Sequence, residues 1–356
     1  MIEKNLELVL ITYNRSKYLE KTFLQLLESP FLKCKLTILD NCSTDETPDI
    51  CKKYQKLFPN MTIIRHPKNI GANPNILRAV ETSNSLYTWI LCDDDYYDFS
   101  ECDDIINAIL LEKYDIIMPY SGQFVHSEGK TINELLKERN NENKLDNYLE
   151  STGKELFAIL KHYYFILMTF VPATIFKTEI YDSDCFIEGY DNVPNMYPHF
   201  PYVVKSIEDD LSIYKSKKDI ITRGDHSENR TYAPSKWAIS WLESSLILED
   251  KNKIKIVTNK YFNNYSLLPM IIYAVIQSKA DKEPNFKNQT ISLIAAVIKT
   301  QGLIKGGLLS LLIIILSIIP SYLANILKSN ADKYSERIRN ENIFDSTFKI
   351  SKFLKK

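Results

Sequence analysis

Tyr87-Thr88-Trp89-Ile90-Leu91-Cys92-Asp93-Asp94-Asp95-Tyr96 is an apolar run with strand character that stops at three consecutive carboxylates. Charges of one sign placed so closely repel, and a cation beside them relieves the repulsion. Successive side chains on a strand point to opposite faces, so an extended continuation puts Asp93 and Asp95 on one side and Asp94 on the other. Two carboxylates on one side suit a hard divalent cation, Mg2+ or Mn2+. Taken alone, the same triplet reads as a solvated acidic turn behind a core strand. Its neighbours in the chain decide between the two.

Upstream, a pattern of strand, polar loop and helix occurs three times. Leu6 to Ile11 is a compact apolar run; Thr12-Tyr13-Asn14-Arg15-Ser16 follows it, and then Leu19, Phe23, Leu26 and Leu27 recur at helical spacing up to Ser29-Pro30. Leu36 to Asp40 reads as a second buried strand. The loop Asn41 to Glu46 comes next, with Ser43 and Glu46 at capping-box spacing for a helix that carries Ile50, Tyr54 and Leu57 on one face. Met61 to Ile64 gives a third strand, His66 to Gly71 a loop, and Ile76, Leu77 and Val80 a third helix. Beyond the aspartates stand a helix through Ile105, Ile106, Ile109 and Leu110 and a strand from Asp115 to Tyr120. Short apolar strands alternating with amphipathic helices predict an α/β fold, a mostly parallel central sheet flanked by helices. Ligands of such sheets bind at the carboxyl ends of the strands. The unusual polar residues fall on the four loops there: Thr12 to Arg15, Asp40 to Asp45, Asn69 to Asn75, and Asp93 to Asp95.

In this order, Ile11-Thr12-Tyr13-Asn14-Arg15, Leu39-Asp40-Asn41-Cys42-Ser43-Thr44-Asp45, Asn69-Ile70-Gly71 and Trp89-Ile90-Leu91-Cys92-Asp93-Asp94-Asp95 resemble the nucleotide-sugar-binding half of family 2 glycosyltransferases, which have the GT-A fold. The resemblance covers residues 5–120. Within that family, the Asn-Ile-Gly-Ala segment and the Leu-x-Asp-Asp-Asp ending are most similar to bacterial O-antigen sugar transferases of the abequosyltransferase type. The resemblance implies that Thr12, Tyr13 and Arg15, with Asn14, line the nucleotide pocket and that Asp40 binds the base. Asp45, with Ser43, would close that pocket, and Asn69, Gly71 and Asn75 would sit beside the base and ribose. Asp93 to Asp95 would hold the ribose and, through the metal, the diphosphate. Many family members have an Asp where Cys92 stands, giving Asp-x-Asp-Asp. The metal ligand is then Asp94 or Asp95; Asp95 ranks first, with Asp93 beside it.

Composition narrows the classes. Lys+Arg 44 against Asp+Glu 45 leaves a net charge of -1, without the basic excess of a general nucleic-acid binder. The six cysteines form no C-x-x-C pair, so neither a zinc site nor a disulfide framework is indicated, and a reducing cytoplasm fits. Met1 to Asn5 runs into the first strand without the basic segment and apolar core of a secretory signal.

Further along, Ser127 to Gly153 is polar and reads as a surface insertion. Gly129-Lys130-Thr131 lacks the earlier glycine of a phosphate-binding loop, with Phe124 in its place. Leu156 to Met168 has the spacing of a core helix, and Val171 to Lys177 resembles the family strand that faces the acceptor. Inverting transfer requires a base to deprotonate the acceptor hydroxyl. By the resemblance it comes from an acidic pair at the start of a helix. Here the helix through Tyr202, Val203 and Ile207 starts at Pro198-His199, so His199 falls on that position, with Asp191 in reserve. A histidine accepts a proton near neutral pH. Glu208-Asp209-Asp210 reads as a solvated turn before a strand from Leu211 to Tyr214. After a strand from Asp219 to Thr222, Arg223 to Arg230 resembles the family loop over the diphosphate. Arg223 and Arg230 would offset charge on the departing nucleotide, and His226 is a further metal candidate.

The C-terminal third changes character. Helical patterns over residues 235–250 and 259–279 precede an uncharged run from Gly306 to Leu327, whose 22 residues match the roughly 20 that span a bilayer core. Lys299 and Lys305 precede it, and the tail Lys328 to Lys356 holds eight basic residues against four acidic, a net of +4. A single span would leave one basic flank outside, against the positive-inside tendency, and Pro320 interrupts the run. A monotopic or re-entrant attachment to the inner leaflet is expected, the tail lying against anionic lipid; a buried core helix is the alternative. The expected organisation is a GT-A domain over 1–232 (nucleotide-sugar half 1–120, acceptor half 121–232), a helical region over 233–300, and an apolar membrane-associating helix with basic tail over 301–356. The expected activity is inverting, metal-dependent transfer from a nucleoside diphosphate sugar to a hydroxyl of a lipid-linked oligosaccharide in bacterial O-antigen or capsule biosynthesis, at the cytoplasmic face of the inner membrane. A nucleotidyltransferase is the competing enzyme, although no Gly-rich, basic opening loop is present; a non-catalytic membrane scaffold with this fold is the other alternative.

Overall fold

The computed structural model describes residues 2–119, 149–222, 234–248, 250–258 and 267–330. Contacts divide the chain into two compact units, residues 1–125 with 129–228 and residues 126–128 with 229–356.

The first unit begins with α1 (Ile2–Asn5), β1 (Leu6–Thr12), α2 (Ser16–Leu27), β2 (Lys35–Asp40), α3 (Thr47–Gln55), β3 (Met61–Arg65), α4 (Ala72–Thr82) and β4 (Tyr87–Cys92). It continues with β5 (Tyr96–Tyr97), α5 (Asp103–Leu111), β6 (Ile116–Met118), β7 (Glu150–Thr152), α6 (Gly153–Leu160), α7 (His162–Met168), β8 (Ile175–Lys177), α8 (Ser183–Asp191), α9 (Phe200–Glu208), β9 (Ser212–Lys215) and β10 (Ile221–Thr222). Eight strands form one sheet in the order β3-β2-β1-β4-β8-β6-β9-β7, and β10 pairs with β5 in a second, two-stranded one. The half with β3, β2, β1 and β4 is wholly parallel. Beyond β4 the sheet is mixed, because β8 runs antiparallel to both β4 and β6. Leu8, Leu10, Ile38, Leu39, Trp89 and Leu91 are fully or almost fully buried, as residues of a sheet covered on both faces must be.

Several local expectations give way to tertiary structure. The expected strand Val171 to Lys177 is a 3-10 turn over Val171–Ala173 followed by β8; Pro172 supplies no ladder donor at its centre. The expected helix Leu156 to Met168 is two, α6 and α7, broken at Lys161, whose φ is 53°. A capping box forms at Thr152 and Glu155, whereas the one expected at Ser43 and Glu46 does not, because Ser43 is engaged elsewhere. Leu57 lies past the end of α3 and is exposed. Glu208, Asp209 and Asp210 form the expected exposed turn. Of the stretch Ser127 to Gly153, residues 127–148 lie outside the described residues.

The second unit contains α10 (Pro234–Ser244), α11 (Lys251–Thr258), α12 (Leu267–Ala280), α13 (Phe286–Gln301), α14 (Leu303–Ile318) and α15 (Ser321–Asn330). Its core joins Leu242, Ile271, Leu293, Val297 and Ile313. A Cβ on Gly306 would stand 2.8 Å from the Ile298 Cα, so only glycine allows α14 to approach α13 this closely. The basic tail beyond Asn330 lies outside the described residues.

Candidate active site

Strand register assembles the site. Thr12 pairs with Asp40, Asp40 with Arg65, and Ile11 with Cys92, so the four loops leave one edge of the parallel half-sheet at the same level. The first two loops are then knitted together. Asn14, at φ 51°, donates its backbone N–H to Ser43 Oγ (2.9 Å) and accepts from the Thr44 N–H at its Oδ1 (2.8 Å). The Arg15 N–H donates to Thr47 Oγ1 (3.0 Å), and the Ser16 N–H to Asp45 Oδ2 (3.1 Å). Asp45 Oδ1 also accepts from the Thr47 N–H (3.0 Å). Burial pushes the Asp45 carboxyl up, but its hydrogen bonds to Thr47 and Ser16 outweigh that and hold it below its ordinary pKa. Ser43 and Asp45 therefore tie the first loop to the second.

Asp40 is buried beneath these loops. Its Oδ1 accepts from the Ser43 N–H (2.9 Å), and Arg65 Nε stands 3.4 Å from its Oδ2. Asn41 organises the third loop: its Nδ2 donates to Asn69 Oδ1 (3.0 Å) and the Gly71 carbonyl (3.1 Å), and its Oδ1 accepts from the Ile70 N–H (2.9 Å). Gly71, at φ 89°, opens α4 in a conformation that L side chains rarely adopt. Asn75 is buried with its Oδ1 2.8 Å from His66 Nε2, a contact inside the fold. Tyr13 is exposed at the pocket side of the loop, and Thr12 is buried at the end of β1.

The fourth loop departs from the alternation expected of it. β4 ends at Cys92, where the Tyr97 hydroxyl accepts from the Cys92 N–H and donates to the Cys92 carbonyl, both at 3.0 Å. Tyr97 is itself fixed by stacking on Phe99, with centroids 5.6 Å apart. This clasp fixes the chain at the end of β4, and both Asp93 and Asp95 are buried beyond it. Asp93 is 5% exposed; its carbonyl accepts from Thr22 Oγ1 (2.9 Å) and its Oδ1 lies 3.8 Å from Arg15 Nε. Burial, with Asp94 next, raises the Asp93 carboxyl well above its ordinary pKa, against the opposing pull of Thr12 and Arg15. Asp94 Oδ2 lies 3.4 Å from Arg15 Nη2. The group that converges is Cys92 with Asp94 and Asp95: the Sγ and one oxygen of each carboxylate lie within 4.8 Å of one another. Two carboxylates and a sulfur form a donor set for a divalent cation, the carboxylates suiting Mg2+ and Mn2+ and the sulfur favouring the softer of the two. Asp93 is not in this group of three; it adjoins it, sharing Arg15 with Asp94 and feeling the charges of Asp94 and Asp95.

The acceptor half presents its two candidates differently. His199, directly before α9, is 4% exposed, and its Nε2 lies 3.0 Å from the Thr169 carbonyl. Burial lowers its pKa to about 4. A ring so enclosed, with its other nitrogen buried and unpartnered, is a packed core histidine and not a group open to an acceptor. Asp191 is exposed at the last residue of α8. Asn73, in the first turn of α4, donates to the carbonyls of Val193 (2.9 Å) and Asn195 and so fastens the segment after Asp191 beside the Gly71 loop. Arg223, His226 and Arg230 lie outside the described residues.

Asn41, Arg65, Thr47, Asn73 and Tyr97 thus support the site without having been singled out from sequence. Arg65 alone had a readable signal, as a cation ending the strand next to Asp40.

A family model, Glycosyl transferase family 2, matches residues 7–165. Over 84 residues the chain is 31% identical to TuaG of Bacillus subtilis, a protein named for teichuronic acid biosynthesis, covering 24% of this chain and 33% of that one. Over 152 residues it is 24% identical to the dTDP-rhamnosyl transferase RfbG of Shigella flexneri, covering 42% and 53%. The chain therefore spans a third to about half of the length of these relatives. Among solved structures, S. aureus TarS 1-349 in complex with UDP-GlcNAc superposes with a TM-score of 0.53 at 15% identity, over 94% of this chain and 91% of that one. The UDP complex gives 0.56 at 16%, over 92% of each. At such identity the likeness is one of fold, a GT-A-like α/β core with a helical C-terminal region. The narrower likeness to abequosyltransferase-type enzymes gains no specific support from these matches.

Proposed function

We infer that this chain, a family 2 glycosyltransferase, moves a sugar from a nucleoside diphosphate sugar to an acceptor hydroxyl in bacterial cell-surface polysaccharide biosynthesis. The observation that carries this reading is the convergence of Cys92, Asp94 and Asp95 at the end of β4, beside loops already fixed around Asp40. Preorganised loops bind a rigid nucleotide with little ordering cost. Thr12, Tyr13, Asn14 and Asp40 would form the nucleotide wall, and Arg15, already among the aspartates, would offer its guanidinium to the diphosphate. Asp94 and Asp95 would hold Mn2+ or Mg2+ with Cys92 at its side; when bound, the cation supplies charge neutralisation on the leaving diphosphate. Asp191 is the exposed carboxylate we assign as base. It would take the proton from the acceptor hydroxyl as that oxygen attacks the anomeric carbon. The name of TuaG supports a surface polymer as the product and that of RfbG a nucleotide-sugar donor, and the apolar second unit supports a lipid-linked acceptor at the cytoplasmic face of the membrane.

A thermal-shift screen of nucleoside diphosphates and their sugars, with and without Mn2+, tests the reading. One nucleoside diphosphate sugar should raise the melting temperature, and more so with Mn2+. No shift with any of them, under conditions where the chain is folded, would sink it.

A further inference from the structure

The second unit carries an apolar surface that its own core does not need. One stripe of α14, through Gly306, Ser310 and Ile313, is buried against the bundle. The rest of the helix is just as apolar yet open: Leu303 and Ile304 are 85% exposed, Leu308 68% and Ile318 73%. Tyr322 on α15 is 64% exposed. Together this is on the order of 1,000 Å2 of apolar surface, beyond the few hundred Å2 normal for a soluble monomer. A helix of a water-facing bundle has one apolar stripe and a polar back, whereas on the open side of α14 the charged residue is Lys305 in its first turn and the rest is mostly apolar.

Three observations say what covers it. The hydroxyls on this stretch satisfy themselves along the helix, Ser310 Oγ donating to the Gly306 carbonyl (2.7 Å) and Ser317 Oγ to the Ile314 carbonyl (2.8 Å), as a hydrocarbon environment requires. No Asp or Glu occurs between Glu283 and Asp332, whereas Lys287, Lys299, Lys305 and Lys328 do; Lys328 pairs with Asp281 (2.6 Å), and the chain after Asn330 adds further positive charge. An interface between copies of one chain gains nothing from a single sign of charge, but an anionic headgroup layer does. Finally, the sixteen residues of α14 reach only about 24 Å, short of the ~30 Å hydrocarbon core, and at Pro320 the chain turns by 110° into α15.

We propose that the bent pair Leu303–Ile318 and Ser321–Asn330 docks into one leaflet of an anionic bilayer without crossing it. Its exposed apolar residues enter the acyl boundary while Lys299 and Lys305 near its start, and the basic residues after Asn330, meet lipid phosphates. The inference shares the membrane location with the transfer reaction proposed above but is tested without donor or acceptor. Vesicle binding and nucleotide-sugar binding therefore fail separately.

The test is flotation of the full chain with vesicles added from outside, made either of phosphatidylethanolamine and phosphatidylglycerol or of phosphatidylcholine alone. About tenfold more protein should float with the anionic vesicles, and the excess should vanish at high salt, each lysine near the surface contributing to the attraction. Leu308→Glu with Ile315→Glu, both at exposed positions, should abolish flotation and leave the melting temperature unchanged. Absence of flotation, or equal and salt-independent flotation with both vesicle types, overturns the proposal. So does a dimer in light scattering that the double variant converts to a monomer, which would assign the face to a second copy. The salt series on the unaltered chain stands even if the double variant does not fold.

Discussion

The two halves of the first unit hold their candidate residues in opposite ways. On the nucleotide side, polar side chains bond across loops: Asn14 to Ser43 and Thr44, Asp45 to Ser16, Asn41 to Asn69 and Gly71. On the acceptor side, Asp191 stands exposed and His199 lies buried in apolar surroundings, and Asn73 is the cross-tie that fastens the segment between them. The loops of the half expected to bind the donor are held by their own hydrogen bonds. The half expected to bind the acceptor presents one exposed carboxylate, Asp191.

Removing a member of the converging group should break the contrast most severely. Asp95→Ala should lower transfer by about 10³-fold, the scale on which charge stabilisation of a transition state acts. The knitted loops should still bind nucleoside diphosphate in a metal-free titration, because Asn14, Ser43, Asp45 and Asn41 hold them together. Full transfer by a folded Asp95→Ala variant would refute the assignment of this carboxylate.

His199 probes the acceptor side. Its pKa is lowered from 6.5 to about 4 in the folded chain, so the unfolded chain takes up the proton first as pH falls. The stability due to the neutral buried ring is whole above pH 6.5 and is lost as pH drops from there through about 4, a total of about 3 kcal/mol. His199→Gln should flatten the curve of unfolding free energy against pH across that window. As a core residue His199 leaves the pH dependence of turnover in place. Were it the base, the variant would instead lose the acidic limb of the rate profile, the fall in rate as the base is protonated, and Asp191→Asn would leave that limb intact.

A smaller effect belongs to the knitted loops. Asp45→Ala leaves the Ser16 and Thr47 N–H groups without their carboxylate, at a cost of about 1–3 kcal/mol. The loss should appear in urea unfolding and as weaker nucleoside diphosphate binding, with turnover at saturating donor little changed. A large fall in turnover with normal binding would show that Asp45 does more than hold the wall.

The contrast also explains what was legible in the sequence. The parallel half-sheet was, because Leu6–Ile11, Leu36–Asp40 and Tyr87–Leu91 are short apolar runs that each end in a polar loop, and parallel pairing brings those loops to one edge. The Ser43 cap was not, because a local hydrogen bond to the helix backbone competes with a tertiary one to Asn14 that no spacing reveals. The convergence of Cys92 with Asp94 and Asp95 was not legible for a similar reason: strand alternation holds only while the strand lasts, and β4 ends at Cys92. The burial of His199 was not legible, because it depends on what packs from Thr169, Tyr197 and Tyr202, residues that meet only in the folded chain.

Cys92 gives the smallest and most discriminating test, because it is where the chain departs from the family pattern and yet joins the converging group. A sulfur ligand favours Mn2+ over the harder Mg2+, whereas a third carboxylate suits both. Cys92→Asp should therefore raise Mg2+ affinity relative to Mn2+ by about tenfold in calorimetric titration, a difference of about 1.4 kcal/mol. Without metal the same change should lower the melting temperature, because a further carboxylate is placed beside Asp94, Asp95 and the already strained charge of Asp93. Cys92→Ser separates the two effects, since it removes the sulfur and adds no charge. It should weaken Mn2+ binding and leave metal-free stability near that of the unaltered chain. If neither variant moves the Mn2+ to Mg2+ ratio, the thiol is a bystander at the turn, and the cation rests on Asp94 and Asp95 alone.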